Sequence, residues 1–450
     1  MVGATLSRWS MSYFAVALVC LMAGEALMAL GFGFPAAAPG SPDSLVVVHL
    51  MAIGWLSLLM FGALFQFVPV LIAKPIYSNV LPLPTLALLA AGLTALLLGF
   101  LQLGGRIFLP HSCFPASALL LGSGFALALW NLGRTLWRAR PLPLPAHFVS
   151  VGLLCAAATA ALGACFALVL GGATDNPILA SLTAYGIPIH AAAGLGGWLT
   201  FTAMGVSYRL LAMFMLAPEG DTRRSRAVLH LGTGALAIII LVGTASIGLG
   251  QSLDVVLAIS ALLGVGAVAF YGADILHLYR ARKRRKIELN ARMAAIALTN
   301  LIGAVLLAVA LLALGRFEMQ TGAVLFLTAF GWLTGLGLAK LYKIVAFLTW
   351  LECYGPVLGK TATPRVQDLV IEERAAKWFW LFFTGVWSAT ACLLLDTTAG
   401  FRMSAALMLA GTIGIAAQLV RTRLMTDLTA EFRQSHVTRR PPLFASQQTH

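Results

Sequence analysis

Long uninterrupted apolar runs dominate this sequence. A run of about 20 such residues has one stable fate in a bilayer, an α-helix that satisfies its own backbone. Twelve runs qualify, over 11–34, 45–73, 80–103, 115–137, 147–171, 188–216, 227–249, 252–280, 292–314, 320–349, 375–397 and 401–421. Of the 450 residues, 60% are hydrophobic and 10% are charged, against about 25% charged in a soluble domain. A soluble enzyme is thereby excluded. The net charge of +14 comes from short cationic clusters between the runs, the pattern of a membrane protein in contact with the lipid bilayer. A nucleic-acid partner, which calls for a basic face or arm, is not expected. The six cysteines form no C-x-x-C pair, so neither a disulfide framework nor a zinc site is implied.

Placing the N-terminus inside and alternating sides puts every Lys and Arg of the 30 on the inner side except Arg106, Arg316 and Arg402. Cytoplasmic loops carry the Lys/Arg excess, and one missed or extra helix would invert every later loop. The sequence therefore predicts twelve transmembrane helices with both termini cytoplasmic, in a bacterial inner membrane, and residues 426–450 as a cytoplasmic tail. The basic run from Arg280 to Lys286 reads as a topology anchor. Ala36 to Ala38 resembles a signal-peptide cleavage site, but Arg8 is the only cation before the run and Glu25 interrupts it, so the first span is read as retained.

A threefold internal repeat runs through the chain. Span 2 carries Gly54-Trp55-Leu56-Ser57, span 6 Gly197-Trp198-Leu199-Thr200 and span 10 Gly331-Trp332-Leu333-Thr334. Each is followed by a small residue (Gly62, Gly205, Ala339) and then by an aromatic and a long polar residue: Phe65-Gln66, Tyr208-Arg209 and Tyr342-Lys343. The tryptophans are roughly 140 residues apart, which makes four helices one unit and gives repeats of about 1–140, 147–285 and 290–425. A second mark keeps the same offset: Leu136-Trp137-Arg138-Ala139-Arg140 ends span 4 and Leu278-Tyr279-Arg280-Ala281-Arg282 ends span 8.

An all-α polytopic protein of twelve helices in three pseudo-symmetric four-helix arcs, with helices 2, 6 and 10 innermost, resembles subunit I of the haem-copper oxidase and nitric oxide reductase superfamily. His49 and His190, at the outer starts of helices 2 and 6, strengthen the resemblance. In that family the helix 2 histidine is an axial ligand of the low-spin haem, and the helix 6 histidine binds copper or non-haem iron. The resemblance thus implies a b-type haem and copper as cofactors, and respiratory or other membrane subunits as partners. This chain departs from the family on helix 7, which has only His230 near its start, and on helix 10, where Val324 and Phe326 stand at the depth of the upstream histidines. A complete oxygen-reducing centre is not expected, and haem-binding NnrS-like proteins are the nearer analogy.

Imidazole is a common metal and haem ligand, which singles out His49 and His190, beside Trp55 and Trp198 of the repeat. Treated as regular helix at about 100° per residue, the two histidines sit on different faces of their helices relative to the tryptophans, as two helices facing one pocket require. The bland alternative is a pair of interfacial histidines bonded to loops or headgroups. His111 and Cys113, between spans 3 and 4, are weaker copper-ligand candidates. Glu25 is an intramembrane carboxyl, expected to take part in proton uptake or to pair with a polar group such as Asn131 or Asn300. Gln66, Arg209 and Lys343 read as a structural ring, and Asp274 with His277 as a local polar pair.

Three functions stay open on these residues. The first is a haem- or copper-binding protein in electron transfer, respiratory accessory work or response to nitric oxide or another gas. The others are a cofactor-free structural or assembly subunit and a twelve-helix secondary transporter. The transporter reading is weakened by a short loop after span 6.

Overall fold

The computed structural model describes residues 8–218, 221–360, 362–429, 432 and 441–445. Of the expected tail 426–450, residues 430–431, 433–440 and 446–450 lie outside the described residues. Every predicted span falls on helix: α1 (Ser10–Leu30), α2 (Pro42–Ile72), α3 (Pro82–Leu103), α4 (Phe114–Trp137), α5 (Leu144–Leu170), α6 (Ile187–Met215), α7 (Arg223–Gly248), α8 (Asp254–Arg280), α9 (Leu289–Ala313), α10 (Phe317–Val357), α11 (Glu372–Leu394) and α12 (Thr398–Arg423). Among the described residues there is no strand. Ten of these helices are long and apolar enough to cross a membrane, and α6 joins them as an eleventh when taken with the Pro177–Tyr185 helix, from which it is bent by 66°. The chain is therefore an all-helical, multi-pass membrane protein. The eleven spans leave out α11, whose sequence spends apolar length on Lys377, three tryptophans and hydroxyl residues.

Local chemistry sets the helix limits. Pro42 opens α2 at a position where a missing N–H costs nothing, while the Ser41 hydroxyl accepts from the Ser44 N–H at 3.3 Å. Asn176 caps the Pro177 helix by accepting from Ile178 and Leu179. Thr222 and Ser225 form a reciprocal capping box at the start of α7. Leu216 ends α6 in a left-handed conformation.

One feature was not legible in the sequence. The hydrogen bonding of α2 widens to π-helix over Leu50–Ser57, that of α6 over Ala192–Phe201 and that of α10 over Leu327–Thr334. Each π segment contains its copy of the Gly-Trp-Leu-Ser/Thr motif, so the sequence repeat is also a repeat of local backbone. Trp55, Trp198 and Trp332 are among the largest fully buried side chains. A fourth π segment, Ile238–Val242 in α7, lies outside the motif. Because i→i+5 bonding takes an extra residue into each turn, the 100° per residue used to place the histidines relative to the tryptophans does not hold across these stretches.

By packing, the chain divides into one unit of residues 1–47, 54–66 and 287–450 and another of 48–53 and 67–286. In the first, α12 packs on both α11 and α1, and α10 packs on α9 and α12. The Trp55 indole N–H donates to the Thr334 hydroxyl at 2.9 Å, and a side chain at Gly337 would meet Leu59 at 2.6 Å. In the second, α3 packs on α4, α4 on α5, α5 on α6 and α7 on α8, the expected adjacency of consecutive helices. The central stretches of α2 and α10 are 67% buried, against 22% for α8 and 28% for α5 and α7. These values mark α2 and α10 as interior helices.

Candidate functional site

The second unit brings His49 and His190 together. His49 ends the regular turn that precedes the π segment of α2, and His190 lies two residues before that of α6. Their ring centroids are 6.5 Å apart with planes inclined by 33°. Phe100 of α3 covers His49 at 5.0 Å, and Phe166 of α5 lies 5.4 Å from His190. Phe114 supports Phe100 edge-on at 5.3 Å. The pair thus stands between aromatic walls supplied by α3 and α5.

Helix α5 also shapes the space around His190. A methyl at Gly163 would come within 3.2 Å of His190 Cε1, so the glycine leaves room for the imidazole. One turn earlier, the backbone carbonyl of Thr159 faces the same ring. That is the kind of acceptor that fixes the tautomer and aim of a ligating histidine. His190 Nδ1 is buried without a hydrogen-bond partner among the described residues. An unmet buried nitrogen costs about 1–3 kcal/mol, and such a group calls for a specific explanation.

Trp55 is fully buried, with its indole N–H committed to Thr334, and Trp198 is buried within the π segment of α6. His111 is exposed and Cys113 half-buried in a loop that Gln102 fastens, through its amide to the Leu109 and His111 carbonyls. Among the described residues no group of three His, Cys, Asp or Glu side chains is placed to hold a metal ion. Sequence reasoning did not select Phe100, Phe166, Thr159 or Gly163. For the last two the available signal was their four-residue spacing, which puts them on one face of α5.

The polar residues of the spans find different partners from those expected. Glu25 is fully buried, and its Oε1 accepts from the Thr412 hydroxyl of α12 at 3.0 Å. Asn131 instead holds the backbone of Ser78. Asn300 bonds the Gly331 carbonyl and the Trp387 indole. Asp274 accepts from the Tyr208 hydroxyl at 3.0 Å and meets Arg224 at 3.4 Å, and the exposed His277 lies near enough to act on it electrostatically. Gln66 donates to the Ser10 hydroxyl and Lys343 pairs with Glu288 at 2.6 Å, so these two serve helix packing and a loop anchor. No family model matches the chain, and no curated protein matches it.

Proposed function

We propose that this chain is a twelve-pass inner-membrane protein with an oxidase subunit I-like fold in which His49 and His190 hold a haem or a copper ion. The proposed work is electron transfer, a respiratory accessory function or a response to nitric oxide or another gas. The observation that carries the reading is the 6.5 Å between the imidazoles. Two imidazoles facing one metal from opposite sides, with bonds of about 2.0–2.1 Å, have ring centroids about 6.4 Å apart. A two-histidine set suits a haem iron, which needs only two axial ligands from the protein, or a two-coordinate cuprous ion. Such a group would supply one-electron redox chemistry and an affinity for diatomic gases.

The chain's own residues give the rest. The Thr159 carbonyl orients His190, Gly163 leaves it room, and Phe100 and Phe166 flank the imidazoles. With Val324 and Phe326 on α10, oxygen reduction of the oxidase type is not expected.

The twelve-pass reading draws support from the ends of the first unit. The Ser12 hydroxyl, at the start of α1, donates to the Phe444 carbonyl beyond α12, and Arg402 at the start of α12 reaches Ala29 near the end of α1. The first and last helices are therefore antiparallel, which requires an even number of passes. Twelve passes, with α11 counted, meet that condition, as do the ten helices that are long and apolar enough by themselves.

The test is the optical spectrum, oxidised and reduced, of the detergent-purified chain expressed with haem and copper supplied. His49→Ala and His190→Ala are each expected to abolish or shift the cofactor bands. Bands that survive both changes would overturn the ligand assignment. Absence of both cofactors from the wild-type protein would favour the cofactor-free subunit or transporter readings.

A further inference from the structure

The aromatic-basic motif at the end of α4 has no part in the histidine site, yet it borders a cavity of the second unit. This groove, of about 330 Å³, runs between the last turns of α4 and the first turns of α5. Its walls are apolar, including Leu129, Leu136, Leu153 and Leu154, and Arg140 and Trp137 stand at its rim. Leu154 is 72% exposed and Trp137 60%, so the groove opens sideways, where acyl chains lie. Gly133 contributes open space: a methyl there would meet nothing within 4 Å. The volume falls in the range of small-ligand sites, about 300–1,000 Å³.

Charge identifies the occupant. Arg140 lies on the Trp137 ring at 3.8 Å, and Arg138 on Tyr77 at 4.4 Å with its carbonyl held by Lys74. No Asp or Glu occurs in the sequence between Asp43 and Asp175, and among the described residues none of these three cations pairs with a carboxylate. An apolar slot topped by unneutralised arginines at the membrane interface matches an anionic headgroup with its chain. The repeat supplies a contrast. At the end of α8 the equivalent Arg282 is turned onto the Tyr279 carbonyl, and the backbone of Lys283 and Arg284 bonds to the end of α6.

We propose that the α4–α5 groove binds one acyl chain of an acidic phospholipid, with Arg140 at its phosphate and Arg138 and Lys74 adding to the local positive potential. Native mass spectrometry of the full chain in mild detergent, titrated with dioleoyl-phosphatidylglycerol and with dioleoyl-phosphatidylethanolamine, tests this. Wild type is expected to retain phosphatidylglycerol preferentially, and Arg140→Gln to lower that retention on the order of fivefold, the worth of one interfacial cation. Gly133→Leu, or Ala157→Leu should the first not fold, fills the groove and is expected to lower retention to a similar extent with every charge kept. Arg285→Gln, which removes an exposed cation of the α8–α9 loop, is expected to leave retention within about twofold. Equal retention of the two lipids by wild type would overturn the anionic assignment. Loss with Arg285→Gln as large as with Arg140→Gln, or no loss on filling the groove, would overturn the site in favour of diffuse charge.

Discussion

The N-terminal ends of α6 and α10 begin alike and end differently. Both lead into a π segment built on Gly-Trp-Leu-Thr, and both carry a fully buried tryptophan in it. Ahead of that segment, α6 presents His190, whose Nδ1 has no partner among the described residues, to an imidazole on α2. At the corresponding place, eight residues before Trp332, α10 has Val324, and two residues on, where α2 has His49, it presents Phe326, stacked on Phe330 at 4.6 Å and edge-on to Phe401 at 5.4 Å. Thus one helix end leaves a polar nitrogen to be satisfied and the other closes into an aromatic cluster. A single scaffold can be a ligand platform or plain core, depending on one or two side chains ahead of the π turn. Segments of this kind recur at functional sites, but here the same backbone in α10 surrounds no ligating residue.

The largest expected effect separates the two ends by cofactor content. His190→Val, which copies into α6 the residue that α10 has at the same distance from its tryptophan, is expected to bring bound haem or copper close to zero while the protein still purifies as a monodisperse helical species. Retention of wild-type stoichiometry would dissolve the distinction. The reciprocal change should act on stability alone: Phe326→Ala removes a buried ring from the aromatic cluster and is expected to cost about 3–5 kcal/mol with cofactor content per folded chain unchanged. Denaturant titration in mixed micelles measures it, and a cost under about 1 kcal/mol would mean that the cluster is not packed core.

Two smaller effects sharpen the same contrast. Trp55→Phe removes the indole bond to Thr334 and is expected to cost about 1 kcal/mol, plus the lost ring area, again without altering the spectrum. A loss of cofactor bands would place Trp55 in the site instead of in the shared scaffold. The smallest change is Gly163→Ala. Its methyl, 3.2 Å from His190 Cε1, should tilt the imidazole by a few tenths of an ångström and shift the bands while stoichiometry is kept. An identical spectrum would show that α5 does not set the aim of His190.

The sequence by itself determined the class of fold, where each helix runs, and the existence of the repeat. These follow from quantities that need no partner: apolar run length against bilayer thickness, cation placement, and self-similarity around Trp55, Trp198 and Trp332. It also singled out His49 and His190, because imidazole is a common metal and haem ligand and these two stand at the starts of two helices of the repeat. Tertiary structure alone decided that these two meet within the second unit, that Phe100 and Phe166 flank them, and that Gly163 and the Thr159 carbonyl lie against His190. It also decided the polar pairings, giving Glu25 to Thr412 and adding Tyr208 and Arg224 to the surroundings of Asp274. The physical reason is that a pairing depends on helix rotation. The π segments change that rotation by residues no composition or hydropathy pattern reveals, so faces computed for regular helix do not carry from Trp55 back to His49 or from Trp198 back to His190.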